Sequence, residues 1–507
     1  MADKVIYTVK ESDSGKTLLA VLGENGIHIN ADCGGRGACG KCGVRFLSAA
    51  PEPFDWDKRA FDSEKLKDGW RLSCKAEAVP GDVIEISTHT DFEIESSFAN
   101  GEARAIKGIN GEKLVLGIDI GTTTVVMQLC GRESRRLYAE RSFINPQKSF
   151  GGDVISRITA SNSGKGVELK RLICEKLFSE YESIKKETGI ADGDVECAAI
   201  GANSTMIHLL MGYDCSTLGV YPFTPVNISY GEFDFGEVLT GNKNGVVLKI
   251  LPGISTFVGA DITAGLVLCG FDRLEKPALF IDLGTNGEIA IGDKDGIAVS
   301  STAAGPAFEG GNITYGTGSI PGAICGAEYN GKGFELTTIG GAEPAGICGT
   351  GIIEITAELI KNELIDETGR IEEKSDRINV APGIDFLQKD IREVQLAKAA
   401  VCAGLMTLMK KKGLKAADID KLYIAGGFGT KLNVKKAAET GLIPKGLEDK
   451  TAALGNSSLG GTLELLFGEP AERYISIADN AKEIALSTDS DFNYLYIDNM
   501  SFDTMEE

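Results

Sequence analysis

The stretches LVLGIDIGTTTVVMQL, residues 114–129, and ALFIDLGTNGEIAIG, residues 278–292, repeat one pattern. Each begins with an apolar strand, continues with an aspartate and a Gly-Thr turn, and ends with a second apolar strand. Such a β-hairpin suits phosphate groups, because glycine lets backbone N–H groups come close and threonine hydroxyls add hydrogen-bond donors. One turn of this kind would be an ordinary hairpin. Two copies in matching contexts predict a duplicated α/β domain with two phosphate-binding turns.

Two aspartates precede these turns, which we name the first phosphate turn (residues 121–124) and the second phosphate turn (residues 284–287). We expect Asp119 and Asp282 to face each other across a cleft. Carboxylate oxygens are hard ligands that suit Mg²⁺, either directly or through water. The repeat therefore predicts a magnesium-dependent phosphate site between two halves of the domain.

Four cysteines near the N-terminus, Cys33, Cys39, Cys42 and Cys74, lie in the segments ADCGGRGACGKC and RLSC. Plant-type ferredoxins bind a [2Fe–2S] cluster with the spacing C-x4-C-x2-C and a distant fourth cysteine. The first gap is one residue longer here, which resembles the adrenodoxin-like branch. Glycines within the loop let the backbone wrap closely around a cluster. The spacing predicts that these four cysteines ligate one [2Fe–2S] cluster.

A disulfide pair or a structural zinc site is the alternative for these cysteines. Zinc sites usually show paired Cys-x2-Cys motifs or histidine partners, whereas the chain has one such pair here and three histidines in total. The flanking segments VIYTV, GKTLLAVLGENG and VIEIS predict a strand, a short helix and a closing strand, as in a β-grasp module. The other eight cysteines lack ligand spacing, and we expect them to be buried thiols.

Composition indicates an intracellular multidomain protein. The chain has 507 residues with 43% hydrophobic content, enough for about two to four domains. A net charge of −21 disfavours non-specific nucleic-acid binding. No run of about twenty apolar residues and no signal-peptide pattern occur, and the twelve cysteines favour a reducing compartment. We expect a cytoplasmic protein that binds neither membrane nor nucleic acid.

The sequence divides into three parts. We predict a ferredoxin-like domain over residues 1–93, a linker over residues 94–112, and a duplicated α/β domain over residues 113–507 with lobes at about 113–272 and 273–507. The linker segment has no sustained periodicity, and its mixed composition is typical of a short tether that can swing.

The α/β part resembles the ASKHA superfamily of acetate and sugar kinases, Hsp70 and actin. Between the two phosphate turns, FVGADITAGLVLCG resembles the first connecting helix, where small residues permit a close helix crossing. After both turns, KLYIAGGFGT resembles the adenosine motif and LGNSSLGGTLELL resembles the second connecting helix. The glycine pair in KLYIAGGFGT would by itself suit an ordinary cap or turn. The order of all five elements favours the ASKHA interpretation. The fold class expected is therefore α/β and α+β, with a β-grasp [2Fe–2S] ferredoxin-like domain followed by a duplicated ASKHA domain.

This resemblance implies ATP and Mg²⁺ as ligands, besides the cluster, and it assigns the site residue by residue. Catalytic roles fall on Asp119, Asp282 and Thr123. The residues assigned to nucleotide binding are Gly121, Thr122, Thr123, Thr124, Gly284, Thr285, Asn286, Gly287, Gly426 and Gly427.

Further segments resemble the reductive activators of corrinoid proteins: NPQKSFGGDVISRI, STAAGPAFEGGNI, GICGTGIIE, DIREVQLAKAA and STDSDFNYLYIDNMSF. The resemblance spans nearly the whole chain, although almost nothing separates the linker from the first phosphate strand, where some relatives carry an extra middle domain. It implies an ATP-dependent activator that passes one electron from its cluster to the Co(II) corrinoid of a methyltransferase-system protein and so restores Co(I). It also implies an external low-potential electron donor and a homodimer.

Several roles stay open at this level. In STAAGPAFEGGNI, the side chains of Ser301, Thr302 and Glu309 could contact the partner corrinoid, or the segment could pack under the second phosphate turn. The helical pattern in DIREVQLAKAAVCAGLMTLMKKKG favours core packing over partner recognition. The aromatic C-terminal segment could dock on a partner or close the domain.

Other functions are compatible with the same residues. One is an ATP-dependent kinase of a small metabolite in which the ferredoxin module regulates activity, and another is a nucleotide-switched redox sensor. A radical-dehydratase activator is a third, but those proteins usually hold a [4Fe–4S] cluster between subunits. No residue stands out as a general base for ATP hydrolysis.

The cysteine spacing predicts about two irons per chain and a single S = 1/2 EPR signal after reduction. Metal analysis and EPR of anaerobically purified protein measure both. A protein that contains zinc and no iron would contradict the electron-transfer interpretation.

Overall fold

A computed structural model of the protein describes residues 3–25, 27, 29, 42–88, 111–372, 375–426 and 432–502. Several sequence-based predictions lie outside the described residues, namely the cluster ligands Cys33 and Cys39, nearly all of the linker, and Gly427.

The N-terminal part is a four-stranded sheet that carries short helices. Its strands are β1 (Asp3–Thr8), β2 (Gly43–Phe46), β3 (Trp70–Leu72) and β4 (Val83–Thr88), in the order β1-β4-β2-β3. Its helices are α1 (Leu18–Glu24), α2 (Asp55–Ala60) and α3 (Ser63–Lys67). Leu18, Val21 and Leu22 of α1 share one buried core with Ile84 and Ile86 of β4. The predicted strand, short helix and closing strand are confirmed as β1, α1 and β4.

The next part is a six-stranded sheet. Its strands are β5 (Leu114–Ile120), β6 (Thr124–Gly131), β7 (Leu137–Ile144), β8 (Val195–Ala202), β9 (Gly231–Asp234) and β10 (Val247–Ile250), in the order β7-β6-β5-β8-β10-β9. The helices of this part are α4 (Val154–Ala160), α5 (Gly166–Thr188), α6 (Ser204–Met211), α7 (Phe235–Thr240) and α8 (Ala260–Leu268).

A second six-stranded sheet follows. Its strands are β11 (Ala278–Leu283), β12 (Gly287–Asp293), β13 (Gly296–Thr302), β19 (Lys421–Ala425), β20 (Thr451–Gly455) and β21 (Lys482–Glu483), in the order β20-β19-β11-β12-β13-β21. Smaller sheets contain β14 (Ala323–Tyr329), β15 (Phe334–Thr338) and β16 (Gly346–Ile347), and β17 (Arg377–Ala381) with β18 (Ile384–Leu387). The helices are α9 (Gly349–Lys361), α10 (Gln388–Lys412), α11 (Val434–Glu439), α12 (Ser457–Phe467), α13 (Ala471–Asn480) and α14 (Ser490–Asp498).

Short 3-10 helices among the described residues cover Glu11–Asp13, Pro146–Phe150, Asp192–Asp194, Pro306–Glu309, Ile339–Gly341, Ala416–Asp418, Glu448–Lys450 and Leu486–Thr488, and a π-helical turn covers Ser161–Lys165. None of the helices in the described ranges combines the length and apolar composition needed to cross a bilayer.

The two large sheets share one topology. Strand β5 pairs antiparallel with β6 and parallel with β8, and β8 pairs parallel with β10. Strand β11 in turn pairs antiparallel with β12 and parallel with β19, and β19 pairs parallel with β20. The predicted duplication is confirmed, and both Gly-Thr turns join the first two strands of their sheets.

Helices α8 and α12 cross between the two sheets at small residues. A Cβ atom added to Gly461 of α12 would lie 2.0 Å from the carbonyl oxygen of Ala264 in α8. Helix α12 also lies close to the first sheet, because a Cβ on Gly117 of β5 would meet Leu463 at 2.6 Å. The close crossing expected for the two connecting helices is confirmed.

Helix α10 and the C-terminal segment close the second half. Residues along α10 are buried from Asp390 to Met409, which confirms its predicted role in the core. Its Gln395 side chain donates to the carbonyl of Met500, and its Lys398 ammonium donates to the carbonyl of Ser501. The C-terminal segment therefore packs on its own domain.

The crossing predicts a packing penalty at Gly461. Gly461→Ala should lower the free energy of unfolding of the duplicated domain by about 1–3 kcal/mol, because the new methyl group meets a backbone carbonyl that cannot move independently. Thermal and chemical denaturation of the full chain measure this. Gly23→Ala is the matched control, since a Cβ there has nothing within 4 Å, and the better helix propensity of alanine should give a gain of up to about 1 kcal/mol. Equal or higher stability of Gly461→Ala would contradict the crossing.

Candidate functional site

Asp119 lies near the end of β5 and is held by the start of α12. Its carboxylate accepts hydrogen bonds from Asn456 Nδ2 at 2.8 Å and from Ser458 Oγ at 2.7 Å. Asn456 also caps α12, because its Oδ1 accepts from the backbone N–H of Leu459 at 2.8 Å. Asn456 thus caps the start of α12 and also orients the Asp119 carboxylate of the first large sheet.

Four carboxylates converge around this position: Asp119, Asp261, Asp282 and Glu288. Burial raises the pKa of Asp282 to about 8, and the negative charges of Asp261, Asp119 and Glu309 add to the effect. Burial also raises the pKa of Asp261 to about 7, with a contribution from the charge of Asp119. These groups are unfavourable as anions next to one another, so the site favours a cation.

The other two pKa values follow the same causes. Burial raises the pKa of Asp119 even though the hydrogen bonds from Ser458 and Asn456 oppose the shift. Burial, followed by the charges of Asp261 and Asp282, holds the pKa of Glu288 well above its usual range. The structure therefore brings the two predicted aspartates into one electrostatically coupled group.

Sequence reasoning missed Asp261 and Glu288. Asp261 lies in the first turn of α8, within a helix singled out only for its small residues. Glu288 is the cross-strand partner of Asp282 in the β11–β12 pair, whereas Val126 holds the corresponding place opposite Asp119. Hairpin pairing would have revealed Glu288, because directly opposed residues share one face of a sheet. Nothing in the local sequence identifies Asp261.

The first phosphate turn contains the assigned residues Gly121, Thr122, Thr123 and Thr124. Gly121 N donates to Thr124 O at 2.9 Å and closes the turn. The Thr122 hydroxyl accepts from Asn203 Nδ2, the N-cap residue of α6, at 3.0 Å. All four turn residues are half-buried, so the turn lies at an accessible edge of the sheet.

The second phosphate turn closes through Gly284 N, which donates to Asn286 O at 3.0 Å. The Thr285 hydroxyl donates to Glu309 Oε2 at 2.9 Å. Gly287 begins β12 opposite Thr302. The turn thus lies beside the STAAGPAFEGGNI segment.

That segment packs beside β12 and the second phosphate turn. Ser301 is the cross-strand partner of Glu288, and its hydroxyl lies 3.4 Å from Glu288 Oε1. Thr302 is buried, and Glu309 contacts Thr285 as described. These positions correspond to the alternative in which the segment packs beneath the second phosphate turn.

Gly426 follows β19 and approaches the second hairpin closely. Its φ of 114° lies in a region that favours glycine, and an added Cβ would lie 2.4 Å from the carbonyl oxygen of Leu283. Any larger residue would push β19 away from β11. Gly426 therefore keeps the backbone of the assigned adenosine motif next to the second phosphate turn.

The described residues fit a magnesium nucleotide better than a metal held by protein alone. Among them, no three His, Cys, Asp or Glu side chains already form a metal-binding geometry. Mg²⁺ in nucleotide sites normally keeps several waters and uses one or two carboxylates plus phosphate oxygens. A cluster of acids beside two Gly-Thr turns matches that donor set.

Cys42 and Cys74 form the described half of the predicted cluster site. The β2–β3 pairing places Gly43 opposite Leu72, so these cysteines flank the paired residues, and Ser73 N donates to Cys42 O at 2.9 Å. Both thiols are buried. A hydrogen bond with Cys74 lowers the pKa of Cys42 to about 6. A cluster requires thiolates, and this environment fits one.

The remaining cysteines lie within the duplicated domain. Six of the eight are buried, as expected. Cys269 and Cys325 are only partly buried, so the prediction of buried thiols was too broad for these two.

Three family models match the chain. The 2Fe-2S iron-sulfur cluster binding domain matches residues 3–79, the RACo middle region matches residues 114–274, and the C-terminal domain of RACo, the ASKHA domain, matches residues 276–507. The chain therefore contains a middle region, which carries the first phosphate turn. This match begins at the first phosphate strand and covers the predicted first lobe, so it is not an additional domain between the linker and that strand.

Similar proteins cover the whole length. Corrinoid activation enzyme RamQ of Eubacterium limosum is 31% identical over 98% of this chain and 99% of its own length. A reductase of the Co(II) methylated amine-specific corrinoid protein from Methanosarcina barkeri is 30% identical over 53% of each chain. The solved structure of a reductive activator for a corrinoid, iron-sulfur protein superimposes with a TM-score of 0.71 at 26% identity, over 98% of this chain and 96% of that chain. The chain belongs to the family of reductive activators of corrinoid proteins, in which a [2Fe–2S] ferredoxin module is joined to an ASKHA domain.

Proposed function

We propose that this protein is an ATP-dependent reductive activator that passes one electron from its [2Fe–2S] cluster to the Co(II) corrinoid of a methyltransferase-system protein and restores Co(I). One combination carries this proposal. Cluster-type cysteines and a group of buried carboxylates beside two phosphate turns occur in a single chain, and that chain aligns over nearly its whole length with a corrinoid activation enzyme.

ATP is needed because the electron transfer is uphill. A plant-type cluster has a reduction potential near about −400 mV, and cob(II)alamin-type centres are harder to reduce. The free energy of a one-electron transfer changes by about 1.4 kcal/mol for each roughly 59 mV of difference in reduction potential. A gap of a few hundred millivolts therefore amounts to several kcal/mol, which nucleotide-driven closure can offset by changing cobalt ligation or excluding water at the partner site.

The residues divide the work as follows. Asp119 and Asp282 position Mg²⁺, directly or through water, and the two phosphate turns donate hydrogen bonds to the phosphates. Thr123 has a catalytic role within the first phosphate turn. Gly426 and Gly427 form the adenosine side of the nucleotide site. Hydrolysis with water as acceptor then depends on positioning and charge stabilisation. Bound Mg²⁺ neutralises the negative charges of these carboxylates.

The cluster site completes the proposal. Cys33, Cys39, Cys42 and Cys74 hold the cluster, which stores a single electron when bound. An external low-potential donor reduces it again, and the protein acts as a cytoplasmic homodimer. Corrinoid proteins are the partners, as the names of the relatives suggest.

Anaerobic absorbance spectroscopy tests the function directly. Co(I) absorbance of a candidate corrinoid protein should appear only when reductant, Mg-ATP and this protein are all present. Cys42→Ser should abolish Co(I) formation but leave ATP affinity nearly intact, because Cys42 directly precedes β2 of the N-terminal sheet and belongs to neither phosphate turn. Cys325→Ser, at a partly buried cysteine of β14, is the matched control and should retain Co(I) formation.

Two results would contradict the proposal. ATP-dependent phosphorylation of a small metabolite, with unchanged cobalt spectra across several corrinoid proteins, would indicate a kinase. Nucleotide binding without cobalt reduction or phosphoryl transfer would indicate a redox sensor.

Removing the charge of Asp282 should have opposite effects on ATPase activity and on stability. Asp282→Asn should lower ATPase activity by several powers of ten, because it removes a Mg²⁺-positioning charge. The same change should stabilise the nucleotide-free protein more at pH 8 than at pH 5. The folded-state pKa of Asp282 is raised to about 8, so wild-type stability is lost as the pH rises towards 8 and the asparagine variant avoids that loss. We expect the gain in the free energy of unfolding of Asp282→Asn over the wild type to be larger at pH 8 than at pH 5 by more than about 1 kcal/mol.

Steady-state ATPase assays and denaturation at the two pH values measure these effects. Asp376→Asn is the matched control, since Asp376 is an exposed carboxylate paired with Arg377, and it should change neither property. Full ATPase activity in Asp282→Asn would show that the second phosphate turn has a structural role only.

A further inference from the structure

The NPQKSFGGDVISRI segment, residues 145–158, has no role in the site described so far. It begins directly after β7, forms the 3-10 helix Pro146–Phe150, and continues into α4. Asn145, Gln147 and Arg157 are fully buried or nearly so, although all three are polar. Buried polar side chains are costly unless they make specific hydrogen bonds. Their partners therefore indicate what the segment does.

Three consecutive carbonyl groups of the first phosphate turn accept hydrogen bonds from this segment. Gly121 O accepts from Asn145 Nδ2 at 2.9 Å, and Thr123 O accepts from Asn145 N at 2.9 Å. Between them, Thr122 O accepts from Arg157 Nη2. Two residues therefore hold the back of the whole turn.

The orientation of the carbonyls fixes the orientation of the amides. Among the described residues, the cis peptide bond is Tyr221–Pro222, so the peptides of the turn are trans. In a trans peptide, the C=O of one residue and the N–H of the next point in opposite directions. The N–H groups of Thr122, Thr123 and Thr124 therefore point away from the buried segment. Successive amides arranged in this way form a concave site for anions.

Arg157 adds a charge to this arrangement. Its Nε donates to Gly151 O at 2.9 Å and its Nη1 lies 3.2 Å from Met206 Sδ, so its partners are neutral. It forms no ion pair with a described residue. Burial lowers the pKa of Arg157 to about 9, although the negative charge of Asp153 opposes this shift, so Arg157 stays protonated at neutral pH. The Asp153 carboxylate itself accepts from Ser156 N and Ser156 Oγ. A bound anion near the buried guanidinium would therefore stabilise it further.

We infer that Arg157, together with Asn145, is a positioning residue for the triphosphate: it holds the first phosphate turn with its amides facing the nucleotide and places a positive charge directly behind them. The inference rests on the proposed function, because it assigns the anion to ATP. It explains why a polar segment is buried against this turn. The charge also offsets part of the repulsion between the phosphates and the four carboxylates of the site.

The test compares nucleotides that differ only in phosphate content. In Arg157→Met, which keeps similar length without charge or donors, affinity for a non-hydrolysable ATP analogue with Mg²⁺ should fall by about tenfold or more. Affinity for adenosine should stay within about twofold, since the first turn faces phosphate. Calorimetry of the full-length protein measures both. Arg141→Met is the matched control, because Arg141 lies on β7 and pairs with Glu180 and Glu187 at the surface, and it should change neither affinity.

Arg157→Lys provides the second variant, and it decides the question if Arg157→Met does not fold. Lysine keeps the charge but cannot bridge Thr122 O and Gly151 O as a fork, so affinity for the analogue should fall less than in Arg157→Met and adenosine should bind normally. Equal losses for adenosine and the analogue, or no loss in either variant, would overturn the inference. Such a result beside a wild-type protein that binds ATP and reduces cobalt would leave the proposed function intact. A wild-type protein that binds no ATP would overturn the proposed function itself.

Discussion

The convergence of four carboxylates is the constraint on which the ATPase half of the structure depends. Asp119 comes from the first large sheet, Asp261 from α8, and Asp282 with Glu288 from the second. Like charges this close raise one another's pKa values and weaken the folded state unless a cation neutralises them. The protein nevertheless holds Asp119 in place through hydrogen bonds from Asn456 and Ser458. Repulsion among these carboxylates thus lowers the stability of the folded protein at the candidate site, a trade between stability and function that is common in enzymes.

The close helix crossing makes this convergence geometrically feasible. Gly461 and Ala264 let α12 and α8 approach until backbone atoms are nearly in contact. The start of α12 then reaches Asp119, and the start of α8 carries Asp261. Carboxylates from both large sheets consequently lie in one group. In the proposed function, a magnesium nucleotide that neutralises them would favour closure of the two halves, and such a closure would bias the position of the electron-carrying module.

Much of this architecture could be predicted from local sequence. The two hairpins and the cluster spacing are short-range patterns, so LGIDIGTTT, LFIDLGTNG and the four N-terminal cysteines were interpreted without the structure. Residues brought in from a distance were not found. Asp261 sits in an ordinary apolar helix, and Arg157 lies 35 positions beyond the carbonyl that it binds. A buried arginine that donates to a backbone carbonyl leaves no periodic signal, since its partner carries no distinctive side chain.

The account depends most on the claim that the electron delivered to cobalt comes from this chain's own cluster and moves only with ATP. Single-turnover EPR tests that claim directly. Protein reduced beforehand and freed of reductant is mixed with a Co(II) corrinoid protein, with or without Mg-ATP. We expect the S = 1/2 signal of the cluster and the Co(II) signal to disappear together, one for one, when Mg-ATP is present. Both signals should persist in the sample without Mg-ATP. Loss of the cobalt signal while the cluster stays reduced, or equal transfer without nucleotide, would contradict the account.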